Sequence, residues 1–249
     1  MTPRLRRAST SDRPVKVLLL HGLGCRTSSW DRYADQPADD LELWDVELPW
    51  HGVGDSGWSY REDSAAQLVE AVPGGFDGLV AHSFAATLLT EAFATGLLEP
   101  VPAVLVNAFY RPSEEDFDWP TISHYLNDFH LIFAEALRDG DSAHLSEKHR
   151  SWMANSLRDQ VGPYGWSRFF QSYLRSPSLD LSAVTAPQLV LCGDGDIATR
   201  VSDGQALAAA LPAGRFEVLP GCGHFPMTQA PDRFARSVRA FLTRTHTWS

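Results

Sequence analysis

The 249-residue sequence has little of what marks several large classes of protein. Its three cysteines, Cys25, Cys192 and Cys222, are odd in number and show no Cys-x-x-Cys or Cys/His spacing. Neither a disulfide framework nor a zinc site is therefore expected. No stretch approaches the roughly 18 consecutive apolar residues of a membrane-spanning helix, so we expect no membrane partner.

Positive charge is also scarce, because 21 Lys and Arg face 31 Asp and Glu, for a formal net charge of −10. This balance argues against a nucleic-acid partner, since phosphate binding relies on clustered Lys and Arg. Residues 1–14 carry four arginines with no apolar segment after them, so we interpret them as an edge or flexible segment rather than a signal peptide. With the unpaired cysteines, this favours a cytoplasmic location. We therefore expect the binding partner to be a small-molecule substrate. The sequence does not indicate the oligomeric state.

Strand-like and helix-like runs alternate along most of the chain. The predicted strands are 15–20, 41–47, 79–82, 103–107, 188–192 and 215–219. The predicted helices are 63–72, 84–95, 204–211 and 231–243, the last with Phe234, Val238, Phe241 and Leu242 on one face. This alternation predicts an α/β fold with a mostly parallel sheet flanked by helices. In such sheets, ligands bind at the carboxyl ends of the strands.

The pattern changes between residues 111 and 181, where strand signals vanish and aromatic residues become frequent. Helix-like runs cover 122–136, 145–157 and 166–174. We predict one domain whose core is 1–110 and 182–249, with 111–181 inserted as a helical cap over the sheet edge. Most of the cap aromatics should form its own core, and a minority should face a substrate. The candidates are Trp119, Phe129, Phe133, Trp152 and Phe170.

The predicted strand 79–82 ends abruptly at Ser83, and an apolar helical pattern starts at once. A serine on such a sharp turn projects its hydroxyl from the sheet, provided that the residues two before and two after are small. Here these are Ala81 and Ala85, where glycines are usual. The alternative is an ordinary serine capping the helix.

A serine nucleophile needs a base, an acid and oxyanion donors. His224 lies in a glycine-rich loop after the last predicted strand, and Asp194 and Asp196 follow the strand before it. Both aspartates remain candidates for orienting the imidazole. The expected oxyanion donors are the backbone N–H groups of Phe84, next to the serine, and of Leu23, in the loop after the first buried strand.

The order serine, acid, histidine resembles that of capped α/β-hydrolases of the lactonase, esterase and meta-cleavage-product hydrolase type. The match runs from about residue 15 to the end. Its most specific segments are His21-Gly22-Leu23-Gly24 with Trp30 downstream, the serine turn, residues 189–196, residues 221–226 and residues 230–234.

The resemblance implies an α/β-hydrolase fold with the cap after the sixth strand of the family's usual sheet, no cofactor, and no metal. It also selects Asp196, the last residue of a Gly-x-x-Asp turn, over Asp194. Three features depart from the family: the two elbow alanines, Trp50 where glycine is usual, and the short segment before the first clear strand. The family's opening hairpin should therefore be shortened or partly missing.

We therefore predict a cofactor-independent serine hydrolase with a Ser83–His224–Asp196 triad. Its substrate would be a carboxylic ester, lactone or thioester of medium size and apolar character. One alternative is a non-hydrolytic reaction on the same site, such as cyclisation, epimerisation or acyl transfer. Another is a non-catalytic ligand receptor that uses the cap cavity.

Overall fold

A computed structural model describes residues 1–51, 56–139 and 144–246. Its described residues form one seven-stranded sheet in the order β1-β3-β2-β4-β5-β6-β7. Neighbouring strands are parallel except β1, which is antiparallel to β3. The strands are β1 (Arg4–Arg7), β2 (Val15–Leu20), β3 (Leu41–Val46), β4 (Gly78–His82), β5 (Ala103–Val106), β6 (Gln188–Gly193) and β7 (Gly214–Leu219).

The strands differ in burial according to their place in the sheet. Strands β4, β5 and β6 are buried at every position, as expected for central parallel strands covered on both faces. Strand β1 is mostly exposed and carries three arginines, which is typical of a protected edge. It is the single strand before β2 among the described residues, and it places part of the segment 1–14 at the edge of the sheet.

Nine α-helices are described. They are α1 (Asp31–Ala34), α2 (Ser64–Val69), α3 (Phe84–Ala94), α4 (Trp119–Asn127), α5 (Phe129–Asp139), α6 (Glu147–Arg175), α7 (Val201–Ala210), α8 (Pro226–Gln229) and α9 (Pro231–His246). In α9 the four predicted apolar residues are all nearly inaccessible. The α/β fold, with a mostly parallel sheet flanked by helices, is confirmed.

Helices α4, α5 and α6 lie between β5 and β6, within the segment that the sequence marks as helical. The predicted single helix 122–136 is wrong, because α4 ends at Asn127 and α5 begins at Phe129. Asn and Asp favour helix ends over helix interiors, and the pair Asn127-Asp128 breaks a helix that the apolar pattern alone continues. The predicted helices 145–157 and 166–174 both belong to α6, which is kinked at Gly162, where φ is 65°.

The order of strands determines which loops meet. From β2 the chain passes to β3 on one side, and β4 lies on the other side of β2. Leu20 at the end of β2 therefore pairs with Ala81 near the end of β4. Such a reversal of strand order opens a crevice between the two carboxyl ends. The loops that start at His21 and at Ser83 consequently lie side by side.

Candidate active site

Ser83 connects β4 directly to α3 with a strained backbone, φ 56° and ψ −123°. Positive φ is uncommon for a residue with a side chain, and such strain persists where the surrounding structure enforces it. Its N–H donates to the Val106 carbonyl at 2.8 Å, which fixes the turn to the neighbouring strand. The flanking Ala81 and Ala85 are fully buried. The Ser83 side chain makes no capping hydrogen bond, contrary to an ordinary helix cap.

The Ser83 hydroxyl instead faces His224, with 2.9 Å between Oγ and Nε2. The other ring nitrogen, Nδ1, lies 2.8 Å from Oδ2 of Asp196. A carboxylate only accepts hydrogen bonds, so the proton is on Nδ1 and Nε2 is free to accept from the serine. The structure thus brings Ser83, His224 and Asp196 into one hydrogen-bonded chain.

The two candidate aspartates have different partners. Asp196 also accepts from the Ala198 N–H at 2.7 Å and from the Thr199 hydroxyl, and its side chain is fully buried. Asp194 is exposed, and its Oδ1 accepts from the Gly221 N–H at 2.6 Å. Asp196 therefore faces the imidazole, while Asp194 holds the turn before the histidine loop.

Burial and neighbouring charges shift the pKa values of His224 and Asp196 in opposite directions. Burial alone would lower the pKa of His224, but the charge and hydrogen bond of Asp196 and the charge of Glu135 outweigh it and raise that pKa. Burial would raise the pKa of Asp196, yet His224, Thr199 and the Ala198 N–H lower it overall. The pair therefore favours a carboxylate next to a histidine that is basic enough to take a proton.

The loop after β2 approaches the serine closely at Gly22. A Cβ atom there would lie 3.0 Å from the Ser83 Cβ and 2.9 Å from Nδ1 of His82, so no side chain fits. Among the described residues, neither the Leu23 N–H nor the Phe84 N–H donates to another backbone group, whereas those of Gly24 and Cys25 do. The two predicted oxyanion donors thus sit in segments that meet at Ser83.

Trp50, which departs from the family pattern, supports this loop. Its Nε1–H donates to the His21 carbonyl at 3.2 Å, and its own carbonyl accepts from the Gly24 N–H at 2.8 Å. Its fully buried ring also packs on Phe84 at 5.2 Å between centroids. The tryptophan therefore contacts both segments that carry the predicted oxyanion donors.

Sequence reasoning missed the residues that hold the histidine loop over the sheet. Strands β4 and β7 are three places apart, about 14 Å at normal strand spacing, so the loop must reach back. Asn107, at the end of β5 with φ 46°, donates to the carbonyls of Gly223 and His224 and accepts from Gly193. The available signal in the sequence was an asparagine at the end of an apolar strand run, since asparagine adopts positive φ more readily than most residues.

His82 is a second support for this loop. Its Nε2–H donates to the His224 carbonyl at 2.8 Å, and its ring lies 4.9 Å from the His224 ring. Burial, followed by the nearby His224, lowers the pKa of His82 to about 3, so this ring stays neutral at physiological pH. A packing and supporting role fits this placement.

Two of the five candidate aromatics approach the site. Phe133 lies against the loop after β2, so close that a Cβ on Gly24 would be 2.6 Å from its Cε1. Phe129 contacts Phe133, with 5.3 Å between ring centroids, and Phe169, at 5.4 Å. Phe169 in turn reaches Phe84 beside the serine. Phe133 also lines a groove of about 400 Å³ whose other apolar walls are Ala136, Leu137, Met153, Leu157 and Phe225.

The other three aromatics lie elsewhere. Phe170 is buried and stacks on Trp166 at 4.9 Å, within the helical segment itself. Trp119 and Trp152 are 80% and 66% exposed and do not line the groove. Each stands two residues from a buried position, Thr121 in α4 and Ala154 in α6, which turns it about 200° away from the packed face.

Within the described ranges, no group of three or more His, Cys, Asp or Glu side chains could hold a metal ion. No described helix has the length and apolar content needed to cross a bilayer.

Known proteins similar to this chain include a family of hydrolases and a curated esterase. The pattern of the Alpha/beta hydrolase family matches residues 17–237. A curated relative, the pimeloyl-[acyl-carrier protein] methyl ester esterase of Nitrosomonas europaea, is 21% identical over 88% of this chain and 92% of its own.

Two solved structures share the fold. An esterase from Thermogutta terrifontis has a TM-score of 0.67 and 19% identity, covering 98% of this chain and 94% of that one. The enol-lactonase from Burkholderia xenovorans LB400 has a TM-score of 0.61 and 16% identity, covering 97% and 95%. Because the family pattern spans most of the sequence, the chain belongs to the alpha/beta hydrolase family.

Proposed function

We propose that this protein is a cofactor-independent serine hydrolase of carboxylic esters, thioesters or lactones. Ser83 is the nucleophile, His224 the general base and acid, and Asp196 the residue that orients and stabilises the imidazolium. The backbone N–H groups of Leu23 and Phe84 are the oxyanion donors.

One observation carries the proposal. A serine hydroxyl, held on a strained turn, lies 2.9 Å from an imidazole whose other nitrogen lies 2.8 Å from a buried carboxylate. These distances are within the range for proton transfer in general base catalysis. The strain at Ser83 is what a nucleophile elbow requires and what a helix cap does not.

The reaction follows from this geometry in two balanced halves. The Ser83 oxygen attacks the acyl carbonyl as its proton passes to Nε2 of His224, and the carbonyl oxygen takes the negative charge. Collapse breaks the bond to the leaving alcohol or thiol, which receives that proton from His224. Water then adds to the acyl-serine with His224 again as base, releasing the acid and restoring Ser83.

We propose that residues 111–181 act as a cap over this site and select the substrate. The groove beside Phe133 has an apolar wall from the helical segment and a polar wall from residues 26–32, and its apolar wall supports a medium-sized, largely apolar acyl group. The names of the relatives, a methyl ester esterase and an enol-lactonase among them, favour the same bond types. Phe129 and Phe133 are the cap residues proposed to contact the substrate.

A serine-directed fluorophosphonate tests the nucleophile. We expect it to label the wild-type protein covalently, and Ser83→Ala to abolish that labelling. Ser172→Ala removes a hydroxyl that is equally buried but lies in α6, so it serves as the matched control and should label normally. Labelling that persists in Ser83→Ala would overturn the assignment.

A panel of simple esters, thioesters and lactones of increasing acyl length tests the reaction. Turnover by the wild type and its loss in Ser83→Ala are expected. If the folded protein is labelled at Ser83 but turns over none of these compounds, a non-hydrolytic reaction at the same triad replaces the proposal.

A further inference from the structure

Helix α5 carries a buried glutamate that touches the loop of the proposed base. Glu135 is 4% exposed, and its Oε1 accepts the backbone N–H of His224 at 2.6 Å. The same oxygen accepts from Nε2 of Gln229 at 3.2 Å, while Oε1 of Gln229 accepts from the Gly223 N–H at 2.7 Å. The backbone N–H groups of Gly223 and His224 are thus held by side chains from α5 and α8.

The second oxygen of Glu135, Oε2, is buried and has no hydrogen-bond partner among the described residues. Leaving a buried polar atom unpaired costs stability, and a charged group costs more than a neutral one. If this side chain only filled space, the protein would be more stable with a leucine or methionine at position 135. We therefore look for the role of this carboxyl group in its contacts with His224 and Gln229.

The fit between Glu135 and the loop is very tight at Gly223. A Cβ on Gly223 would lie 1.8 Å from Oε1 of Glu135, which excludes any side chain there. Glu135 belongs to the inserted helical segment, whereas Gly223 belongs to the loop after β7 of the sheet. Glycine at 223 and glutamate at 135 are thus matched to each other.

Three titratable groups face His224, and two of them are carboxyl groups. Asp196, after β6, and Glu135, on α5, both favour its protonated form, whereas His82, at the end of β4, is neutral. Asp196 lies at Nδ1, and Glu135 lies at the backbone N–H of the same residue. The base is therefore placed between two carboxyl groups, one from the sheet and one from the inserted segment.

We infer that Glu135 is a positioning residue that aligns His224 with Ser83 and couples this alignment to the seating of α5 on the sheet. The carboxylate fixes the loop backbone by its hydrogen bond and stabilises the imidazolium by its charge. When α5 is displaced, the loop loses this acceptor and the base loses its alignment. The inserted segment thereby contributes to the competence of the base as well as to the shape of the pocket. This inference rests on the proposed function for its kinetic part.

The first test measures the base without using activity. Imidazole NMR titrations of wild type and Glu135→Gln, with the His224 signal assigned from His224→Gln, compare the pKa of His224. Removing a negative charge disfavours the imidazolium, so its pKa should be lower in Glu135→Gln. Glu91→Gln makes the same change in a buried glutamate of α3 paired with Arg175, and should leave the His224 pKa unchanged.

The second test measures the rate of fluorophosphonate labelling against pH. Glu135→Ala removes both acceptor and charge and should slow labelling by about 10²-fold, the cost of misplacing a catalytic group. Glu135→Gln should recover part of this rate, because its amide oxygen can still accept the His224 N–H. Its acid limb should lie at lower pH than that of the wild type. Circular dichroism confirms that each variant is folded.

The outcomes separate the two proposals. Wild-type labelling together with an unchanged His224 pKa in Glu135→Gln and an unchanged rate in Glu135→Ala overturns the inference and leaves the hydrolase intact. A wild type that is not labelled at Ser83 overturns the hydrolase, and the NMR comparison then decides whether Glu135 controls the base. If Glu135→Ala does not fold, Glu135→Gln decides the kinetic part.

Discussion

The loops at the carboxyl ends of the strands and the helical segment 111–181 are determined in different ways. The loop positions follow from strand order and register, because Leu20 pairs with Ala81 and the loops after β2 and β4 must then meet. The faces of α4, α5 and α6 depend on contacts with distant parts of the chain, such as Glu135 with His224. In the proposed mechanism the first region supplies the reacting groups, and the second is proposed to surround and align them.

This difference has a practical meaning for substitutions. In a strand-end loop, a substitution changes a proposed reacting group only if it falls on that residue. Two positions that are one or two residues apart can therefore differ greatly in their effect on activity. A change in the helical segment acts through burial, so the same residue type has a large or a small effect according to the face on which it lies.

Asp196 and Asp194 give the sharpest test of the strand-end loops. Asp196→Asn should reduce kcat by about 10⁴-fold, because an amide cannot stabilise the imidazolium and favours the wrong tautomer. Asp194→Asn keeps an oxygen that can accept from the Gly221 N–H and should change kcat only slightly. Steady-state kinetics on an ester turned over by the wild type measures both. Equal losses in the two variants would contradict the assignment of Asp196.

Phe170 and Trp119 test the helical segment. Phe170→Ala should lower the free energy of unfolding by about 3–5 kcal/mol, since it removes a buried ring stacked on Trp166. Trp119→Ala, at an exposed position, should change it by no more than about 0.5 kcal/mol. Chemical denaturation of both variants gives the comparison. A large loss for Trp119→Ala would show that α4 buries the opposite face.

Trp50 gives the smallest of the three expected losses, and it tests the contact between two strand-end segments, the loop after β2 and the start of α3. Trp50→Phe keeps a buried ring but loses the hydrogen bond to the His21 carbonyl, so the free energy of unfolding should fall by about 1 kcal/mol. Fluorophosphonate labelling should slow as well, because the loop of Leu23 is less well held.

Trp44→Phe is the control for this change. Its indole donates to Glu42 on β3, and its loss should affect stability to a similar extent without slowing the labelling. A slowing that is equal in Trp44→Phe and Trp50→Phe would remove the special role of Trp50.

The sequence was most informative about the strands and the order of the polar residues that follow them. A run such as 15–20 is buried in a parallel sheet at five of its six positions, so its hydrophobicity is continuous and its end is marked by polar and glycine residues. The α/β-hydrolase fold was predicted from this pattern and the motifs, and it is confirmed. The motifs predicted that Ser83 and His224 meet, but the 2.9 Å distance between Oγ and Nε2 required the structure, since the two residues are 141 positions apart.

The helical segment was less predictable for a physical reason. The apolar pattern of 122–136 runs through Asn127 and Asp128, so the pattern alone does not show that this polar pair ends one helix before the next begins. Trp119 and Phe170 are both aromatic residues of the predicted cap, and nothing local indicates that one is exposed and the other buried. Asn107 and Glu135 escaped notice because each acts on backbone groups that are distant in sequence.

The packing of Trp50 has a consequence for the energetics of turnover. One rigid indole contacts both Phe84 and the loop that carries Leu23, so this side chain helps to fix the distance between the two proposed donors. Donors held in this way do not have to rotate toward a developing oxyanion, as water molecules must. In the proposed mechanism these donors are oriented once, when the chain folds, and do not have to be reoriented in each catalytic cycle.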